Sequence, residues 1–592
     1  MRKSIGKKLV TAAVMVSLVL SSVSGCGKKG TSEMTETSQE GDSTQIAVSE
    51  EQKENDLQEV NLENMEIART IKLDSSNRQV VNDTNGDGYG EFQGWGTSLC
   101  WWANRCGYSE ELTKQAAEAF FNPETGIGMN IGRYNVGGGD NVTTEDVTVA
   151  MKEESPFLHK EHIRRSDSVV PGYCTDVTKI DLSNNSKDYY ESNFARVDYD
   201  CGFAWNYDWE ADKNQMNILI AAAKAAGDEF IGEAFSNSPP YFMTVSGCSS
   251  GNEEPSEDNL REDSVKAFAC YMADVIEHWA QEGVISFQSV APMNEPATSY
   301  WGAYSEKQEG CHFSQGDSQS RILVALNEEL QNKGIDMIIS ASDETSIDAA
   351  ITSYQHLTPE ALEVVDRIDT HSYQGTMRKM LRSTAEEAGV NLWMSEVDGT
   401  FTIGNTEGMT AALGFAEAMM RDLNGLMPSA WIMWDAVDLH VDSNNKYDTC
   451  KREEADKIIN EGLPFWGIAI ADHDTQELLL SKKYYAFGQF SKYIRPGYCL
   501  ISSSDVTVAA YDPETNKIVI VAMNTNSDDL CWEFDFSDFD VDTSKMQIIR
   551  TSGTISDGEN LADVSDSCKT SVTGKTLTSF IKGSSITTFV IG

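Results

Sequence analysis

The chain has 592 residues, 40% of them hydrophobic, which is more than one ordinary domain needs and enough for a large core plus a second module. Its 93 acidic residues against 46 basic ones leave a formal net charge of −47. That surface would repel a phosphate backbone, which argues against nucleic acid as a partner and leaves a neutral polymer open.

The first predicted element is an export signal. Arg2, Lys3, Lys7 and Lys8 precede an uncharged stretch from Leu9 to Ser24, shorter than the roughly 20 residues a spanning helix needs. It ends in Val23-Ser24-Gly25-Cys26, which resembles a bacterial lipobox. Cys26 would then become the lipidated first residue of the mature chain, facing outward from a bacterial membrane. A plain signal peptide (1–26) with an incidental cysteine is the alternative. Residues 27–64 are rich in Ser, Thr, Gln, Glu and Asp and read as an acidic, disordered tether. Setting Cys26 aside leaves eleven of the twelve cysteines and no CxxC pair. Cys100 and Cys106 are close enough in sequence to bridge, but scattered buried thiols are the expectation.

Residues 65–91 open with an alternating, strand-like stretch, MEIARTIKLDSSNRQVV, expected to join a β-module from the other end of the chain. In DTNGDGYGE (83–91), Asp83, Asn85 and Asp87 have calcium-loop spacing, but Gly94 stands where the bidentate glutamate belongs. An Asn-Gly/Asp-Gly turn is the expectation.

From Phe92 to about residue 480, strand-like runs alternate with helical stretches. The predicted strands are 92–99, 129–137, 230–238, 287–295, 337–344, 367–373, 392–398 and 430–437. Between them, 109–121, 215–227, 263–283, 320–334 and 409–423 repeat apolar residues every three to four positions, as one buried helical face requires. Eight strands with helices over nearly 400 residues predict an α/β fold, a (β/α)8 barrel, at 92–480. An open doubly wound sheet is the competitor, and its glycine-rich first turn is missing. Residues 481–592 change character to short β-rich segments, which predict a side β-sandwich.

In such a barrel, chemistry sits at the C-terminal ends of the strands. Those ends offer Arg133, Asn294, Glu295, His371, Tyr373, Glu396, Trp434 and Asp435. Glu295 after the fourth strand and Glu396 after the seventh would face each other across the mouth. Retaining glycoside hydrolysis needs such a pair, roughly 5–5.5 Å apart, one protonating the leaving oxygen and one attacking the anomeric carbon. Proximity to the second carboxylate is expected to raise the pKa of the acid, Glu295. Any single acid at a strand end serves as well as a cap or an ion-pair partner; the joint pattern favours chemistry.

With GWGTSLCWWAN (94–104), GMNIGRYNVGGG (128–139), SNSPPYFMTVSG (236–247), APMNEP (291–296), THSYQG (370–375), WMSEVDG (393–399) and KKYYAFGQFSKYIRPG (482–497), the chain resembles glycoside hydrolase family 30. The family is one of retaining (β/α)8 enzymes with a side β-sandwich. The resemblance implies Glu295 as acid/base and Glu396 as nucleophile. It also implies Asn294 on the sugar 2-hydroxyl, Tyr373 supporting the nucleophile, Arg133 and His371 ordering the site, and Trp434 as a wall of the subsite. No cofactor or metal is required, since protons and a carboxylate suffice.

GWGTSLCWWANRCGYS (94–109) and RRSDSVVPGY (164–173) look most like the endo-β-1,6-galactanase branch. β-1,6-Glucanase and glycosylceramidase are the alternatives within the family, and a non-catalytic glycan-binding lipoprotein is the alternative outside it. Many relatives carry a tryptophan where this chain has Ser236, and removing that ring could make room for the axial 4-hydroxyl of galactose. Trp95, Trp101, Trp102, Trp205, Trp209 and Trp301 lie in predicted loops or strand ends, where indoles either stack on sugar or plug the barrel mouth. Trp301 is taken as a subsite residue. Arg164 and Arg165, in the long insertion 137–212, are expected to be solvated. The expected partner is a β-linked polysaccharide or oligosaccharide, and a monomer is expected.

Overall fold

The computed structural model describes residues 62, 66–139, 170–173, 207–303, 308–400, 406–444, 451–461 and 465–592. Cys26, the tether apart from Leu62, Arg164, Arg165 and Trp205 lie outside the described residues. After a first strand, β1 (Ile67–Lys72), come β2 (Gly94–Ser98), β3 (Ile131–Asn135), β4 (Ile231–Phe235), β5 (Ser289–Ala291), β6 (Ile338–Ser346), β7 (Arg367–Gln374), β8 (Asn391–Glu396) and β9 (Ala430–Met433). β2 to β9 pair in parallel in chain order, and β9 closes on β2 through Trp95↔Trp431. This is the (β/α)8 barrel, with all eight predicted strands in it.

The strands read as apolar runs because both of their faces are covered. Helices Lys213–Ala226, Val265–Gln281, Asp317–Asn332 and Met409–Gly425 match the predicted windows. Val265–Gln281 shows why: Phe268, Tyr271, Met272, Val275 and Ile276 recur on one face and are buried. Each such side chain contributes about 1.5–3 kcal/mol of transfer free energy. The window 109–121 is helical throughout: α-helical over Glu110–Ala116, capped by Ser109 Oγ accepting the Leu112 N–H at 3.1 Å, and then widened into a π-helical turn over Ala117–Phe121. Helices Ile347–His356 and Arg378–Ala388 fill the two remaining gaps between successive barrel strands.

β5 is shorter than the sequence suggests. It stops at Ala291, so Asn294 and Glu295 lie in the loop beyond it and do not end the strand. The backbone leaves the ladder there: Glu295 takes φ +47° and its N–H donates to the carbonyl of Asp343 at 2.8 Å.

Two further layers frame the barrel. A small sheet unforeseen from sequence, β10 (Val437–Val441), β11 (Ala469–Asp472) and β12 (Glu477–Leu480), follows β9. The sandwich is built from β13 (Cys499–Ser504), β14 (Thr507–Asp512), β15 (Lys517–Asn524), β16 (Leu530–Asp535), β17 (Met546–Ser552), β18 (Glu559–Asp563), β19 (Thr570–Thr573), β20 (Thr576–Ile581) and β21 (Ser585–Ile591). One sheet runs β13-β14-β15-β21-β17-β18; the other runs β1-β16-β20-β19, with β1 parallel to β16. The sequence reading counts Lys482–Ser491 with the β-module, yet it is a helix. Its Phe487 packs on Trp95 and Phe415 of the barrel, while Gln489 bonds Thr551 and Thr588 of the sandwich, so it joins the two.

The turn expected at 83–91 is present. Asp83 accepts the backbone N–H groups of Gly86, Asp87 and Gly88, so its carboxylate is engaged by its own loop. Among the described residues every cysteine is a free thiol, Cys100 and Cys106 included.

Candidate active site

Strand register assembles the site. Ser98↔Arg133, Arg133↔Glu233 and Glu233↔Ser289 are neighbours on β2 to β5, and His371↔Glu396 are neighbours on β7 and β8. Arg133 is fully buried and distributes its guanidinium over three carboxylates: Nε to Glu233 at 2.9 Å, Nη1 to Glu396 at 3.0 Å, and Nη2 to Asp343. Below it Arg367 bonds Asp369 and Glu233 and lies over the Trp393 ring at 3.5 Å. Buried charges of this density persist only when each is paired and hydrogen-bonded.

His371 stands between the two halves of the site. Its Nε2 is 3.2 Å from Asp343 Oδ1; its Nδ1 is 3.1 Å from Glu295 Oε1 and 3.5 Å from Glu396 Oε1. Both ring nitrogens face carboxyl groups, an arrangement that favours the imidazolium. Burial would lower its pKa, but Glu396 and Asp343 hold it well above the ordinary value.

Glu295 and Glu396 meet at the mouth, with carboxylate oxygens within 4.8 Å of each other. Tyr300 donates to Glu295 Oε2, and Tyr373 donates to Glu396 Oε1 at 3.2 Å. Burial pushes Glu396 up to about 7 against the pull of His371 and Arg133, and Glu295 and Asp343 add to the rise. Glu295 goes the other way: burial is outweighed by the hydrogen bond and charge of His371. This reverses the expected direction for Glu295, because the imidazolium lies nearer to it. Two carboxylates this close behave as a pair that keeps one shared proton to near-neutral pH.

The pair opens into a cavity of about 480 Å³ walled by Trp101, Trp301, Tyr373, Trp434 and Trp466. Trp101 and Trp434 pack edge to face at 4.9 Å. Trp301 also buttresses the acid: its Nε1 donates to the Glu295 carbonyl at 3.1 Å, and Gly310 leaves room for the indole. Asn294 is buried next to Glu295, and its Oδ1 has no partner among the described residues. The structure thus brings together Arg133, Asn294, Glu295, Trp301, His371, Tyr373, Glu396 and Trp434.

Ser236 is not among the cavity-lining residues; it is buried, and its hydroxyl donates to the Ser238 carbonyl at 2.9 Å. Asp435 caps its own turn by accepting the Val437 N–H. Trp95 and Trp102 are buried with their Nε1 groups bonded to Ile494 and Ser98, and Trp209 stacks on His278. Sequence reasoning missed Asp343, Tyr300, Trp466 and the Glu233–Arg367–Asp369 layer. Charged residues inside the apolar strand windows FIGEAF and RIDTH were the available signal for that layer.

A closed (β/α)8 barrel with a side sandwich and two carboxylates close together beyond β5 and at the end of β8 is the arrangement of a retaining glycoside hydrolase. Residues 185–368 match the model of O-glycosyl hydrolase family 30. The chain is 32% identical over 452 residues to an endo-β-1,6-galactanase from Hypocrea rufa, covering 74% of this chain and 80% of that protein. It is 28% identical over 423 residues to an exo-β-1,6-galactobiohydrolase from Bifidobacterium longum, covering 59% of this chain and 26% of the relative. In fold it is similar to the catalytic domain of the family 30 xylanase C from Talaromyces cellulolyticus, at TM-score 0.60 and 17% identity, covering 88% of this chain and 100% of that one. The chain belongs to glycoside hydrolase family 30.

Proposed function

We propose that this chain hydrolyses β-1,6-linked galactan in endo fashion, with Glu396 as nucleophile and Glu295 as acid/base. The close approach of the two carboxylates carries the mechanism: one oxygen of each lies within 4.8 Å of the other, which fits the closely spaced pair of a retaining enzyme. In the first step Glu396 attacks the anomeric carbon while Glu295 gives its proton to the departing oxygen. In the second, Glu295 takes a proton from water as the water oxygen bonds to the anomeric carbon and the ester bond to Glu396 breaks.

Glu396 must be ionised when it attacks, so the reacting form has the shared proton on Glu295. Arg133 and Tyr373 support the charge on Glu396. The names of the two sequence relatives support the choice of β-1,6-galactan. Two basic pairs ahead of an uncharged stretch ending at Cys26 support export and lipid anchoring on the outside of a bacterial membrane.

The test is product analysis on debranched β-1,6-galactan, with β-1,6-glucan and glucuronoxylan in parallel and Glu396→Gln as the blank. Short β-1,6-galacto-oligosaccharides of retained configuration, absent with the variant, are expected. Release from β-1,6-glucan alone would overturn the substrate and keep the mechanism. For the anchor, Cys26→Ala should move the protein from the membrane fraction to the soluble one.

A further inference from the structure

A second cluster of reactive side chains lies outside the cleft. Cys106 closes the short helix Trp102–Cys106, His440 is on β10, and His473 follows β11. Their donor atoms all lie within 4.8 Å of one another. Cys106 Sγ is 3.9 Å from His440 Nδ1, and His440 Nδ1 is 2.9 Å from His473 Nε2. None of the three lines the cavity at the carboxylates.

The hydrogen bonds around the cluster define its tautomers. His440 Nε2 is 3.0 Å from the Val437 carbonyl, which only accepts, so Nε2 carries the hydrogen and Nδ1 presents a lone pair. The Tyr108 oxygen accepts from Gln476 at 3.2 Å and directs its hydrogen to His473 Nδ1 at 3.0 Å. The remaining hydrogen of His473 is then on Nε2 and points at His440 Nδ1.

We propose that Cys106, His440 and His473 bind a thiophilic divalent cation of the zinc type. Sulfur and two imidazole nitrogens without a carboxylate are a borderline-soft donor set, which suits zinc and disfavours calcium or magnesium. Bonds of about 2.0 Å to nitrogen and about 2.3 Å to sulfur at tetrahedral angles need N···N of about 3.3 Å and S···N of about 3.6 Å. From 2.9 Å the imidazole nitrogens would part by about 0.4 Å, from 3.9 Å the thiol would close on His440 by about 0.3 Å, and the third pair starts within 4.8 Å. The outer contacts already have the required form: a metal-bound imidazole characteristically donates its other N–H to a carbonyl, as His440 does to Val437. Cys106 and His440 are buried, His473 is half-buried and Tyr108 is exposed, so the His473 side offers an entry path and a fourth position for water.

Binding would displace the proton of the Cys106 thiol to solvent, while the Nε2 hydrogen of His473 moves to Nδ1 and Tyr108 becomes the acceptor.

The ion takes no part in hydrolysis; it ties the helix Trp102–Cys106 to β10 and to the turn after β11. Helix Trp102–Cys106 starts next to Trp101, and β10 starts shortly after Trp434, the two indoles that pack edge to face in the cleft wall.

The experiment strips the full-length protein with a chelator, removes the chelator, and titrates with Co²⁺ alone and then Zn²⁺. One equivalent of Co²⁺ is expected, with a thiolate-to-cobalt charge-transfer band, displacement by Zn²⁺, one proton released per ion and a rise in Tm. Cys106→Ser should lose the charge-transfer band. His473→Gln should lose uptake while melting like the wild type in chelator, which shows that its fold is intact. Absence of stoichiometric uptake, uptake that survives both substitutions, or a cobalt spectrum without the thiolate band would overturn the proposal.

Discussion

The backbone N–H of Glu295 donates to the carbonyl of Asp343 at 2.8 Å, and both residues stand in the left-handed region, at φ +47° and +61°. Non-glycine residues there cost of order 1–3 kcal/mol each and persist only where the surroundings enforce them. Here the enforcement comes from Asp343 itself, whose carboxylate accepts from Arg133, His371 and Ser395. Arg133 and His371 hold its pKa below the usual carboxylate range despite burial.

Asp343→Asn removes one of the three carboxylates that keep His371 charged. It should lower kcat by about tenfold or more, about 1.4 kcal/mol per factor of ten, with KM little changed. Steady-state kinetics on the oligosaccharide substrate check the split; an unchanged kcat with a raised KM would count against a role through His371.

The pH profile of kcat/KM should fall on the alkaline side near 7. Glu396 is raised to about 7 by burial, and the pair loses its shared proton as pH rises through that value. Tyr300→Phe deletes a hydrogen bond that lowers Glu295. The acid then holds its proton more tightly, and the alkaline limb should move to higher pH.

Arg133→Met leaves Glu233, Asp343 and Glu396 without their common counter-ion in a fully buried layer. Removing one partner of a buried pair typically costs about 3–5 kcal/mol, so the urea midpoint should drop with little change in slope. Arg133→Lys retains charge but not the fork, and should fall between the two.

Gly310→Ala tests the buttress. A Cβ at this position would meet the Trp301 ring at 2.1 Å, with no room to accept it. The indole must move, and with it the Nε1 donor to the Glu295 carbonyl. A loss of kcat with the overall melting temperature largely retained is expected, and circular dichroism melts beside kinetics check it.

Asp212 gives a stability signature away from the site. Burial raises its pKa to about 8, although Tyr134, Gln215 and Asn104 donate to it. With the folded pKa above the unfolded one, its contribution is complete below about 4 and is lost as pH rises through about 8. Asp212→Asn should show a shallower loss of unfolding free energy between pH 4 and 8 than the wild type, measured by denaturant titration at several pH values.

Much of the barrel was legible because strands covered on both faces become unbroken apolar runs, and helices such as Val265–Gln281 keep one face apolar. Glu396 was legible at the end of such a run. Glu295 was legible by its neighbours, but its conformation was not, since a left turn after β5 depends on the Asp343 carbonyl reaching it from β6. Tyr300 and Trp466 reach the cleft from loops, where position follows tertiary contacts and leaves no periodic trace. Lys482–Ser491 hid for a different reason: it is buried nearly all round between two layers, so it lacks the polar face by which a surface helix is read.

The parallel pairing of β1 with β16 has a temporal side. Residues 67–72 leave the ribosome early, yet their partners at 530–535 come only after the whole barrel has been synthesised. Contacts of such long sequence separation are slow to form, because the closure entropy must be met before the pairing gives anything back. Until then β1, with five of its six side chains exposed even in the finished fold, waits as an unmatched strand edge. That sheet of the sandwich therefore cannot be completed until both ends of the chain are present, so its edge is the contact most dependent on the full length of the sequence.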